Sequence, residues 1–199
     1  MTDTREKILH TALRLFAAKG YKAVSVLDIA GELGMTKGAL YKHFRNKRDI
    51  FDSIVGRMEQ RDAEQAIACG MPAVLPAAMD GSGPADAVDH IVAFSRAMFR
   101  YWTQDDFAAQ FRKMLTIEQF GSTEMGKLYQ QYLCSGPVEY MTDVFVTLGL
   151  PRPREKAVAF YAPMFLLYSV YDGSDDKKAI LALMDDLLES ARVRLTKER

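Results

Sequence analysis

Apolar residues recur three and four positions apart along nearly the whole chain, and this regularity limits the fold more than any other feature. Ile8, Leu9, Ala12, Leu15 and Phe16 form one such stripe, and Ile180, Leu183, Met184, Leu187, Leu188 and Ala191 form another. A helix turns once in about 3.6 residues, so this spacing gathers apolar groups on one face, whereas a strand needs strict alternation. No segment alternates convincingly, and the expected fold class is all-α. Glycine and proline then divide the chain: helices are expected over 4–19, over two short stretches either side of Gly34, and over 47–69, 85–102, 104–118, 122–149, 153–172 and 175–196. Gly20-Tyr21 closes the first of these. The stretch from Cys69-Gly70-Met71-Pro72 to Gly81-Ser82-Gly83-Pro84 reads as a linker or loop. Gly136-Pro137 and Pro163 fall inside expected helices, where proline removes a hydrogen bond and crowds the preceding turn, so a kink or break is expected at each.

Composition excludes several classes. With 49% hydrophobic and 26% charged residues over 199 positions, the chain reads as an ordinary soluble globular protein. No apolar run reaches the roughly 18 residues of a spanning helix, and the N-terminus lacks the pattern of a signal peptide, so a cytoplasmic location without membrane association is expected. Cys69 and Cys134 lie far apart without metal-ligand spacing, and His10 and His90 are isolated from such ligands. No metal and no cofactor are expected. Asp105-Asp106, Asp175-Asp176 and Asp185-Asp186 are adjacent pairs, whose side chains diverge by about 100° on a helix and so do not form an acid-base site. The first two pairs suit helix starts. Gly81-Ser82-Gly83 is too short for a phosphate loop and follows no strand.

The net charge of zero conceals an asymmetry: residues 1–61 hold 12 Lys/Arg against 7 Asp/Glu, and residues 62–199 hold 14 against 19. A basic head on an acidic body suits phosphate binding at one end.

Within that head, residues 25–44 have the layout of a helix-turn-helix. Ile29 and Ala30 supply an inner face, Ala30 being small enough for a second helix to cross closely. Gly34 suits the turn, Ser25 can cap the first helix and Thr36 the second. Leu40 and Phe44, four apart, point inward, while Lys37, Tyr41 and Lys42 point outward. Lys37 in the first turn can reach base edges or phosphates, and Gly38 and Ala39 permit close approach to a groove floor. Tyr41 offers a hydroxyl to a phosphate oxygen, and Lys42, Lys47 and Arg48 extend the electrostatic contact. His43 either donates to a phosphate or sits at the helix end near Asn46. Ser25, Val26, Thr36, Lys37, Gly38, Ala39, Tyr41, Lys42, His43 and Lys47 are the candidate DNA-binding residues.

Ile29-Ala30, Gly34, the run Lys37-Gly38-Ala39-Leu40-Tyr41-Lys42-His43-Phe44 and Lys47 resemble the N-terminal signature of the TetR family of regulators. The likeness extends back through Leu15-Phe16-Ala17-Ala18-Lys19-Gly20-Tyr21 and forward through Arg48-Asp49-Ile50-Phe51. The resemblance implies about nine helices: a three-helix DNA-binding domain at 1–48 and a larger helical effector-binding and dimerisation domain at 49–199. It implies a homodimer that binds a palindromic operator in double-stranded DNA, and repression relieved by a small-molecule effector. An activator, or a DNA binder without an effector, is the alternative.

The body of the chain is rich in aromatic residues and methionine, most of which must fill its core. Met98, Trp102, Phe107, Phe111, Met114, Tyr132, Phe165 and Tyr168 are the candidates for lining an effector cavity, and few charges among them favour an apolar or planar guest. The last two helices carry wide apolar faces, from which Phe160, Met164, Tyr168, Met184, Leu187, Leu188 and Ala191 are assigned to a two-fold interface. An enzyme with an incidental helix-turn-helix lacks any nucleophile-base pair or nucleotide loop, and a sequence-indifferent chromatin binder would be strongly basic. No enzymatic activity is expected.

Overall fold

The computed structural model describes residues 3–69 and 84–197; residues 70–83, all of the expected linker but its end residues, lie outside them. Ten helices are found among the described residues and no strand. They are α1 (Thr4–Lys19), α2 (Val26–Glu32), α3 (Lys37–Tyr41), α4 (Lys47–Ala68), α5 (Pro84–Gln104), α6 (Asp106–Glu118), α7 (Thr123–Leu133), α8 (Ser135–Thr147), α9 (Pro153–Gly173) and α10 (Lys177–Lys197). None of them is long and apolar enough to cross a membrane.

The tenth helix arises at Pro137. The spacing predicts one helix over 122–149, but the chain breaks at Cys134 and restarts with Pro137 in the first turn of α8. Proline is tolerated there because a first-turn amide has no intrahelical partner in any case. An unbroken helix would have bonded the Leu133 carbonyl to residue 137. The Tyr161 hydroxyl donates to that carbonyl instead, at 3.0 Å, in a buried setting. Pro163 has no such effect on the helix assignment, since α9 continues through it.

The chain forms two compact units: residues 1–65 with 106–129, and residues 66–105 with 130–199. This differs from a division at residue 48 for a physical reason. Helix α4 is continuous from residue 47 to 68, and α6 packs on α1. In the first unit Ile8, Leu9, Ala12, Leu13 and Phe16 of α1 are buried, as are Phe107, Phe111, Met114 and Leu115 of α6. The exposed His10 ring stands edge-to-face with Phe107 at 5.1 Å.

In the second unit α9 packs on α8, α10 and α5, and α10 packs on α5. Phe99 stacks on Tyr168 at 5.3 Å, and Trp102 meets the edge of Tyr132 at 6.1 Å. This packing corrects two assignments. Phe107, Phe111 and Met114 belong to the first unit, whereas Met98, Trp102, Tyr132, Phe165 and Tyr168 belong to the second, so the eight candidate cavity residues do not share one unit. Phe165, moreover, is 41% exposed. Of the residues assigned to a two-fold interface, Phe160, Met164, Tyr168, Met184, Leu188 and Ala191 are buried within a single chain, and Leu187 is half-buried. The exposed apolar side chains of the same two helices are Val158, Phe165, Leu166, Val170, Leu183 and Val193.

Candidate nucleic-acid interface

Local chemistry sets each element of the helix-turn-helix. Asp3 caps α1, its carboxylate accepting from the Arg5 amide at 3.1 Å. Ser25 and Asp28 form a capping box at α2: the Asp28 amide donates to Ser25 Oγ at 3.2 Å, and the Ser25 amide to Asp28 Oδ2 at 2.7 Å. The Ser25 hydroxyl, which also donates to Asp28 Oδ2 at 2.7 Å, and then the Ser25 amide hold the Asp28 carboxyl below its ordinary range. Gly34 takes φ +63°, which a residue with a side chain meets only with strain. That turn lets the Met35 amide reach back to the Ala30 carbonyl at 2.8 Å. Thr36 then caps α3, accepting from the Ala39 amide at 3.1 Å. Asn46 does the same for α4, accepting from the Asp49 amide at 2.9 Å.

This frame divides the candidate residues by orientation. Ile29, Ala30, Leu40 and Phe44 are buried, as the four-residue spacing implies, and Val26 joins them. Ser25, Thr36, Lys37, Gly38, Tyr41 and Lys42 are exposed on α3 and at the two caps, while Ala39 and His43 are half-buried. The Lys37 ammonium lies 5.6 Å from the centre of the Tyr41 ring, so the two side chains share one patch. Helix α3 itself is five residues long, ending at Tyr41, with Lys42 and His43 in a turn beyond it. A side chain at Gly38 would meet nothing closer than Thr36 Oγ1 at 4.0 Å. Internal packing therefore does not require glycine there, whereas close approach of an outside surface would.

Two cations nominated for phosphate are engaged within the protein. Lys47 donates from Nζ to the carbonyls of Tyr21 and Val24, at 2.8 Å each, and lies 4.3 Å from the centre of the Tyr21 ring. It clamps the loop before α2 to the start of α4, with one N–H left over. Arg48 is forked by Glu124 and also donates to Asp52, which raises its already high pKa. Sequence reasoning missed three supporting residues. Arg5 lays its guanidinium 4.5 Å from the centre of the Phe44 ring and donates to the His43 carbonyl at 3.5 Å. Glu118, buried at the end of α6, accepts from the Tyr21 amide at 2.8 Å. Glu124 pairs with Arg48. All three depend on partners distant in sequence.

Residues 8–54 match the family model described as "Bacterial regulatory proteins, tetR family". The chain is 46% identical over 52 residues to the HTH-type transcriptional regulator AcrR of Shigella flexneri, covering 26% of this chain and 24% of the relative. It is 46% identical over 55 residues to the HTH-type transcriptional repressor BepR of Brucella suis, covering 28% and 26%. The matched stretch thus spans about a quarter of the length of these curated relatives. Solved structures extend the likeness of fold to nearly the whole chain. The fatty acid degradation regulator FadR from Bacillus halodurans matches with TM-score 0.65 at 15% identity, over 96% of both chains. SmeT, the repressor of a Stenotrophomonas maltophilia multidrug efflux pump, matches with TM-score 0.60 at 21% identity, over 96% of this chain and 90% of SmeT. Residues 8–54, with their helix-turn-helix geometry, thus match the N-terminal segment of bacterial regulatory proteins of the tetR family, and the fold of nearly the whole chain is similar to that of these solved regulators.

Proposed function

We propose that the chain is a ligand-responsive transcriptional regulator, a repressor that binds a palindromic operator as a homodimer and is released by a small molecule. The observation that carries this reading is the outward patch of α3: Lys37 and Tyr41 in contact, Lys42 beside them, and a glycine at position 38 that internal packing does not demand. In a major groove Lys37 would donate to guanine O6 or N7, and the Ala39 methyl would meet a thymine methyl. Tyr41, Thr36 and Lys42 would position the protein on phosphates, with Ser25 at the head of α2. His43, half-buried, contributes at the margin.

Dimerisation is supported by the exposed side of α9, where Val158, Phe165, Leu166 and Val170 recur at helical spacing beside Leu183 and Val193 of α10. Two copies of such a face bury each other about a two-fold axis, and the axis suits an operator with half-sites about one helical turn, roughly 34–36 Å, apart. Repression and release by a small molecule draw on likeness. BepR and SmeT are named repressors, and a complex of SmeT with triclosan has the same fold, with TM-score 0.65 at 19% identity. Binding of an effector to the body would favour a spacing of the two α3 helices that no longer fits the operator, so effector and DNA oppose each other. The protein would act in the cytoplasm, where the DNA is.

Footprinting on the DNA upstream of the protein's own gene, at fixed salt and with a small-molecule library, tests this reading. A protected near-palindrome that one compound abolishes is the expected outcome. Absence of protection there and in a random-sequence selection would overturn it.

A further inference from the structure

Helices α9 and α10 of the second unit pack together, and between the start of α9 and the end of α10 they leave a cavity of about 250 Å³. Three cations, Arg152, Lys156 and Arg194, line it with one acid, Glu155, so positive charge exceeds negative by two. Phe160 and Leu195 supply apolar lining, and both are buried. The Phe160 ring stands at right angles to that of Phe145 at 5.9 Å, so packing fixes this part of the wall.

Like charges gathered around one space repel unless opposite charge lies among them. Glu155 already accepts from Arg152 at 3.2 Å, and Arg194 has no ion pair among the described residues. Arg152 itself stands in the left-handed region, φ +51°, as no other non-glycine residue among those described does. Glycine or asparagine would meet that backbone at less cost, and the side chain found there is a guanidinium.

A cation-lined space with an apolar wall selects a molecule of both characters. An anionic group takes charge-assisted hydrogen bonds from the guanidinium and ammonium groups, while an apolar body covers the wall. A cavity of roughly 150 Å³ suffices for benzene, so this one has room for an aromatic ring system bearing an acidic group. We infer that the cavity between the start of α9 and the end of α10 is a binding site for a small amphipathic organic anion, a carboxylate or phosphate on an aromatic body. Arg194 and Lys156 hold the anionic group, and Phe160 and Leu195 meet the body. The site lies within one unit and uses none of the DNA-binding surface, so it does not depend on the regulator reading.

The test is isothermal titration of the full-length protein with sodium 2-naphthoate, disodium 2-naphthyl phosphate and 2-naphthylmethylammonium chloride, which share a ring system and differ in charge. At least one anion is expected to bind and the cation is not; the tighter anion identifies the head group. Arg194→Gln is expected to weaken anion binding about tenfold. Ala159→Leu, at an exposed position of the lining, fills the cavity without changing its charge and is expected to weaken binding as much. Glu155→Gln removes the competing carboxylate and is expected to tighten it several-fold, an effect that mere loss of structure does not produce. Lys178→Gln, an exposed cation at the start of α10, serves as the control and is expected to leave affinity unchanged. Failure of both anions to bind, equal binding of the cation, or unchanged affinity in Arg194→Gln or Ala159→Leu overturns the inference.

Discussion

Replacing Lys47 with methionine keeps the apolar stem and deletes the ammonium that bridges two backbone carbonyls. The structure gives two charge-assisted hydrogen bonds at 2.8 Å, to Tyr21 and Val24, and a cation–π contact at 4.3 Å. Hydrogen bonds to charged groups contribute about 1.5–3 kcal/mol each, and a partly exposed cation–π contact about 0.5–1 kcal/mol. Lys47 is half-buried, so water partly replaces it at both carbonyls and the lower ends apply. The expected loss of stability is about 3.5 kcal/mol. In a chain of 199 residues each kcal/mol lowers the melting temperature by roughly 2–4 °C. Urea unfolding followed by circular dichroism measures the loss directly, with the denaturant slope unchanged. DNA affinity should also fall, because the loop before α2 loosens, but the salt dependence of binding should keep its slope. An unchanged unfolding midpoint, together with a slope reduced by about 0.9, would show that Lys47 serves a phosphate and would falsify the clamp.

Tyr161→Phe removes the donor to the Leu133 carbonyl at the α7–α8 break, and leaving that buried carbonyl unsatisfied should cost about 1–3 kcal/mol. Thermal melting checks this, and no change would mean that the carbonyl has another partner. The lowered pKa of Asp28 stabilises the folded chain at pH values above the ordinary carboxyl range, and that contribution is lost as pH falls through the depressed value. Asp28→Asn should therefore flatten the acid limb of a stability-against-pH curve and leave its neutral-pH shape intact; an identical acid limb would count against the capping box. Phe165→Glu combined with Leu166→Glu places two charges on the exposed side of α9, removing within the chain the Phe165 ring contact with Tyr161 at 6.5 Å. Sedimentation should then report monomers of normal helicity, and persistence of a dimer would move the interface elsewhere.

The helix-turn-helix was legible in the sequence because every feature of it is local. Ser25 and Thr36 are capping residues beside their helices, Gly34 is the residue a positive φ selects, and Leu40 with Phe44 lie one turn apart. The break at Pro137 was legible for the same reason, although the Tyr161 hydroxyl that completes it is 28 residues from its acceptor. What failed to show was anything set by packing between distant segments. A stripe such as Phe160, Met164 and Tyr168 reveals which side chains are apolar, not what covers them. Helix α9 is apolar on more than one side, so the stripe alone does not tell the side covered within the chain from the exposed one. Phe107, Phe111 and Met114 read as body residues because α6 is distant in sequence from α1, on which it packs. Lys47 read as a phosphate ligand because a lysine's partner can be a backbone carbonyl, and carbonyls leave no mark in a sequence.

Selection of binding sites from random double-stranded DNA, run in parallel on wild type and Lys37→Ala at one salt concentration, tests the central claim most directly. Wild type should enrich a palindrome whose half-sites are about one helical turn apart, and the variant should relax the base preference at one position per half-site, by about 1–3 kcal/mol. Failure of wild type to enrich any sequence, or an identical motif from the variant, would contradict sequence-specific recognition through α3.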